Sequence, residues 1–190
     1  MLLDESPPFD DPNFIFELKL DGFRAIAYLG ESTTLISRNG NNLTLVFPEL
    51  SELHQHVRPG PPSMKGVAPR SGDGGCILDG EIISVKNNKP VFPPTKKYFT
   101  QFIAFDILSL DGENLMQRSL LDRKKILSDA ITASSRLVMS QFIHEHGTKL
   151  FELAAAQGLE GIVAKRAASI YRPGKRTTDW LKILNPDYRR

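Results

Sequence analysis

The 190-residue sequence contains one cysteine, Cys76, so no disulfide framework can form within the chain. Its four histidines show no zinc-ligand spacing, which removes the common structural zinc modules. No apolar run is long enough to cross a membrane, and the opening "MLLDESPPFDD" is acidic where a secretory leader would be basic. Repeats, low-complexity tracts and an obvious interdomain linker are also missing. These absences point to an intracellular protein with one domain over residues 1–190.

What remains is ordinary globular composition, 41% hydrophobic and 24% charged, with a formal charge of +2 that is unevenly spread. Residues 165–190 carry eight Lys/Arg against two Asp, so the rest of the chain holds sixteen basic and twenty acidic residues. Such asymmetry suits a polyanionic partner for the C-terminal segment, and equally a solvated basic tail.

Hydrophobic alternation predicts strands over 14–20, 24–29, 33–38, 76–85 and 101–110, with "GES" a hairpin turn between the second and third. "FPELSELHQHV" (47–57) reads as a short helix with Pro48 near its start. Residues 58–75 hold four prolines and five glycines and read as a surface loop. Ser119 and Asp122 form a capping box opening an amphipathic helix over 120–131. "RLVMSQFI" (136–143) reads as a strand, "TKLFELAAAQ" (148–157) as a helix, and "EGIVAKR" (160–166) and "DWLKIL" (179–184) as closing strands. Hairpins outnumber strand-helix-strand crossovers, so the expected class is α+β, antiparallel sheets flanked by helices.

Lys19 stands in "FELKLDGFR" (16–24), one residue before an Asp-Gly turn, on a strand whose other face is Phe14, Phe16 and Leu18. A lysine held there is fixed at the mouth of a cleft, or it snorkels to water from a strand end. As a nucleophile it needs the neutral amine, which burial or nearby cations favour. Further pairs follow in order: Glu81 after a second Asp-Gly, Phe102 and Phe105 ahead of Asp106, Glu160 and Lys165 around an apolar strand, and Lys182 in "DWLKI".

In that order "KLDG", "SRNG", "LDGE", "FIAFD", "EGIVAK" and "WLKI" resemble the motifs of the covalent nucleotidyltransferases: ATP-dependent DNA ligases, RNA ligases and mRNA capping enzymes. "PPFDDPNFIFELKLDGFRAIAYL", "FDILSLDGENL" and "YRPGKRTTDWLKI" are similar to the adenylation domain of bacterial end-joining ligases. The resemblance implies a nucleotidyltransferase (ATP-grasp-like) catalytic core that uses ATP with Mg²⁺ or Mn²⁺, carries AMP on Lys19 and seals nicked double-stranded DNA. It gives Glu17 the adenine amino group, Leu18 a place in the nucleotide pocket, and Arg24 and Arg38 the ribose, nucleotide or nick phosphate. Glu81 falls to ribose and metal, Phe105 to stacking on adenine, Glu160 to metal, and Lys165 and Lys182 to the α-phosphate. Phe102 is left to the core. Arg38, Arg172, Lys175 and Arg176 are the expected DNA contacts. The implied setting is the prokaryotic cytoplasm at the nucleoid, as a monomer.

The sequence departs from the family pattern in two places. The last motif usually reads W-x-K-x-K, and here Leu184 takes the second lysine's place. An OB-fold domain usually follows, and the eight residues after Lys182 do not hold one, so the expectation is a core without it and a separate OB-fold or repair protein as partner. An RNA ligase, a capping-type enzyme and a nick-binding module of impaired catalysis are the alternatives. Glu17, an acceptor for an amino group, favours ATP over GTP.

Overall fold

The computed structural model describes residues 1–58, 75–87 and 89–189. The expected 58–75 loop lies almost wholly outside the described residues. The fold is α+β, two sheets with few helices. The first sheet runs in the order β1 (Leu2–Glu5), β12 (Arg176–Leu184), β11 (Gly161–Arg166), β2 (Asp11–Leu18) and β10 (Phe142–Glu145). The second runs β4 (Thr33–Ser37), β3 (Phe23–Leu29), β5 (Cys76–Lys86), β7 (Phe99–Leu110) and β8 (Glu113–Asn114), with β6 (Lys89–Val91) on β5 and β9 (Leu137–Met139) on β7. Pairing is antiparallel, as expected, except for β1 with β12 and β7 with β9, which are parallel.

Helix α1 (Leu120–Ala130) starts as its sequence directs: Ser119 Oγ accepts the Asp122 backbone N–H at 3.2 Å and donates to Asp122 Oδ2 at 2.6 Å. Helix α2 (Gly147–Ala156) has no such local cap; Asp10, 138 residues upstream, accepts the Thr148 N–H at 2.8 Å. Among the described residues, no helix is long and apolar enough to cross a membrane.

Three departures have physical causes. The 47–57 helix is two short 3₁₀ turns, Pro48–Leu50 and Leu53–His56. Phe47, Leu50 and Leu53 are buried and recur every three residues, the repeat of a 3₁₀ rather than an α-helix. The 136–143 strand is two strands: β9 joins the second sheet and β10 the first, so the chain changes sheets across Ser140 and Gln141. The four residues of the opening strand β1 carry no usable period in the sequence; its place comes from parallel pairing with β12.

Apolar residues fall into three groups. Phe14 and Phe16 of β2 pack with Ile162, Ile183 and α2. Ala25, Ala27, Leu78, Phe102 and Leu127 build the core of the second sheet, and Phe102 lies there fully buried. Between the sheets, Ile15, Tyr171 and Trp180 form a third packed group with Phe105 against it. The period of two along β2 puts Ile15 into this group and Glu17 into a small cavity bordered by Phe105 and Trp180.

Candidate nucleotide site

Lys19 follows β2, and its N–H donates to Gly161 O at 2.9 Å, which fixes the backbone beside β11. Its Nζ lies 2.8 Å from Glu160 Oε1, and both side chains are largely buried. The geometry demands glycine at position 161: φ is +139°, and a Cβ would strike the Ile183 carbonyl. Gly22, in the turn after Lys19, likewise sits against the Ile82 carbonyl.

Behind Lys19, a narrow slot of about 80 Å³ is lined by Glu17, Leu18, Arg24, Glu81, Phe105 and Lys165, with Leu3, Leu20, Ser140, Val163 and Trp180. Six of the expected nucleotide residues therefore share one space. Phe105 meets Trp180 edge-on at 6.4 Å, and Lys165 Nζ stands 4.4 Å from the centroid of each ring.

Both oxygens of Glu17 face a lysine. Its Oε1 is 2.5 Å from Lys124 Nζ; its Oε2 is 3.0 Å from Lys165 Nζ and accepts the Ser140 hydroxyl at 2.9 Å. Burial opposes ionisation of Glu17, but Lys165 and then Lys124 outweigh it and hold the carboxyl below its usual range. Lys165 shows the converse: burial lowers it to about 8, with Glu17 restoring part of the charge. Lys124 and Ser140 were not singled out in the sequence. The available signal was Leu120, Lys124 and Leu127 at i, i+4 and i+7, which puts a lysine on the inward stripe of α1.

Arg24 forms a forked pair with Asp79, Nε to Oδ1 at 3.0 Å and Nη2 to Oδ2 at 2.6 Å, and Tyr171 Oη donates to Asp79 Oδ2 at 2.7 Å. Burial works against the Arg24 charge and Asp79 more than restores it. Glu81 lies across from Arg24 in the β3–β5 register, and burial pushes its carboxyl up to about 8 against the pull of Lys19 and Arg24.

Two carboxylates near Lys19 could serve as metal donors. Glu160 Oε2 is buried without a hydrogen-bond partner among the described residues, and Glu81 is a desolvated carboxyl nearby in the same electrostatic group. No cluster of three or more His, Cys, Asp or Glu forms among the described residues. Two hard oxygen donors, completed by water and phosphate, fit Mg²⁺ or Mn²⁺.

The other expected residues are placed apart from the slot. Lys182 pairs with Glu5 of β1 at 3.0 Å and does not line it. Leu184 stands two residues on, paired in register with Gly161. Exposed Arg38 lines a second cavity of about 700 Å³ with Arg24, Tyr171, Pro173 and Gly174. Arg172 and Lys175 are exposed in the adjoining turn, and Arg176 donates to the Leu3 carbonyl.

The sequence profile described as ATP dependent DNA ligase domain matches residues 7–183. The DNA ligase-like protein LigB of the SPbeta prophage in Bacillus subtilis is 31% identical over 191 residues, which cover 95% of this chain and 64% of that protein. The bifunctional non-homologous end joining protein LigD of B. subtilis is 31% identical, covering 97% of this chain and 33% of that one. A solved structure of mycobacterial DNA ligase D complexed with ATP and MES superposes with a TM-score of 0.76 at 26% identity, covering 96% of this chain and 58% of the other.

Proposed function

Because the chain belongs to the ATP-dependent DNA ligase domain family, we propose that it is the adenylation core of such a ligase, with Lys19 as its nucleophile. The observation that carries this is the Lys19–Glu160 pair at 2.8 Å beside a slot holding Glu17, Phe105 and Lys165. Lys19 Nζ attacks the α-phosphorus of ATP. The N–P bond forms as the bond from phosphorus to the bridging oxygen breaks, and pyrophosphate leaves with the electron pair. The ammonium must shed a proton first, and Glu160 Oε1 is the carboxylate in reach. Phe105 offers the base a stacking face, worth about 1–3 kcal/mol. Lys165 donates to the phosphate, and Glu17 accepts from the adenine amino group. Glu160 and Glu81 would hold a divalent cation, which when bound neutralises charge on the phosphate oxygens. AMP then passes to a 5′-phosphate at a nick and is displaced by the 3′-hydroxyl, with Arg38, Arg172, Lys175 and Arg176 on the DNA backbone.

The chain spans only part of these relatives' lengths, so full ligation, the role of an OB-fold or repair partner, monomeric state and a place at the nucleoid belong to this proposal. Leu184 supports one competing reading, a nick-binding module with weak catalysis. Incubation with α-labelled ATP and Mg²⁺ should give an acid-labile adduct, visible in intact mass and lost in Lys19→Ala. Labelling by GTP in place of ATP would favour a capping-type enzyme. Binding of nicked DNA with no adduct from either nucleotide would favour the binding module.

A further inference from the structure

Glu17 carries two lysines where one would balance it, and they approach from different sides. Lys165, on β11, lines the slot. Lys124, on α1, does not line it; it comes from behind, with its Nζ 5.5 Å from the centre of the Phe142 ring. Lys124, Glu17 and Lys165 are all nine-tenths or more buried. Lys124 therefore touches no nucleotide in the slot, yet α1 spends a buried charge on reaching Glu17.

We propose that Lys124 is a standby counter-ion, a positioning residue that holds Glu17 so that Lys165 can leave it for the phosphate of a bound nucleotide. This rests on the nucleotidyltransferase reading above. Removing the sole cation from a buried carboxylate is among the costlier changes in a protein interior. Were Lys165 the only partner of Glu17, phosphate binding would incur that cost each time. With Lys124 at 2.5 Å, the carboxylate keeps a cation as Lys165 turns away. The Lys124 contact is on Oε1 and the Lys165 contact on Oε2, so Lys165 can leave its oxygen without disturbing the ion pair that Lys124 makes with the other. The departure of Lys165 also frees Oε2, which then bears only the Ser140 hydroxyl and can accept an exocyclic amino group. At about 80 Å³ the slot is far below the ~300 Å³ at the small end of ligand pockets, and Lys165 is one of the side chains whose movement would enlarge it.

Three proteins test this: wild type, Lys124→Met and Lys124→Arg. At saturating ATP, Lys124→Met should form the Lys19 adduct at least about tenfold more slowly in single turnover, and Lys124→Arg should recover most of the rate, because the arginine keeps the charge. An unchanged rate in Lys124→Met, or equal impairment in both variants, overturns the proposal. In Glu17→Gln/Lys124→Met, where no carboxylate is left without a cation, the rate should exceed that of Lys124→Met. A second measurement needs neither chemistry nor a variant: NMR of labelled lysine ammonium groups in wild-type protein titrated with AMP. The Lys165 signal should move while that of Lys124 stays paired, and a Lys165 signal that AMP does not move overturns the proposal. If wild type forms no adduct yet AMP shifts Lys165, the ligase reading fails while this one stands.

Discussion

Arg24 of β3 reaches past its register partner Glu81 to Asp79, two residues earlier on β5, in a forked ion pair, and the Tyr171 hydroxyl donates to the same carboxylate. Asp79 is fully buried, whereas the Arg24 side chain keeps 24% of its exposure at the junction of the two cavities. The carboxylate thus acts as a mount, and the guanidinium is what it presents.

Asp79→Ala should destabilise the fold by about 3 kcal/mol, the low end for removing one member of a buried pair, because Arg24 retains some solvent. Urea unfolding would show a lower midpoint at an unchanged slope. A midpoint within experimental error of wild type would show that the mount carries no load.

Leu184→Lys should accelerate adduct formation about tenfold. Leu184 lies on the same face of β12 as Trp180 and Lys182, opposite Gly161 and next to the Lys19 partner Glu160. A new charge-assisted hydrogen bond is worth about 1.5–3 kcal/mol, and partial exposure of this position takes the lower figure. Single-turnover labelling decides it, and a slower variant would mean the site is tuned around the leucine.

Lys165 gives the pH dependence. Burial holds its folded value near 8, against an ordinary 10.5. Adduct formation at saturating ATP should fall as pH rises above about 8, and Lys165→Arg, which cannot titrate there, should flatten that limb. Stability moves the other way. Between pH 8 and 10.5 the unfolded chain holds more protons on this lysine than the folded one, so folding gains stability with rising pH across that window. Denaturation midpoints at pH 8 and pH 10, in wild type and the arginine variant, would test this.

Much of the site was legible because strand alternation is local. Phe14 and Phe16 against Glu17 and Lys19 required only a period of two, and the Asp-Gly turn put Lys19 at a strand end. The capping of α1 by Ser119 is equally local. What escaped depends on contacts between distant segments. Lys124 is an ordinary helix lysine until α1 packs against the sheets and brings it to Glu17. The pairing of Lys182 with Glu5 is likewise invisible in the sequence, because Glu5 sits on a strand at the other end of the chain. The 136–143 stretch reads as one strand, and only its pairing with two different sheets divides it at Ser140 and Gln141.

That division works as a seam. Two residues, Ser140 and Gln141, join a strand of one sheet to a strand of the other, a reach of about 10 Å from Met139 to Phe142 for extended chain. Ser140 is also the stitch that catches Glu17. So short a thread leaves no slack, and the gap between Glu17 on one panel and Phe105 on the other is tailored by chain length as well as by side-chain packing. Letting out this seam by a single residue would widen the slot while every residue that lines it stayed the same.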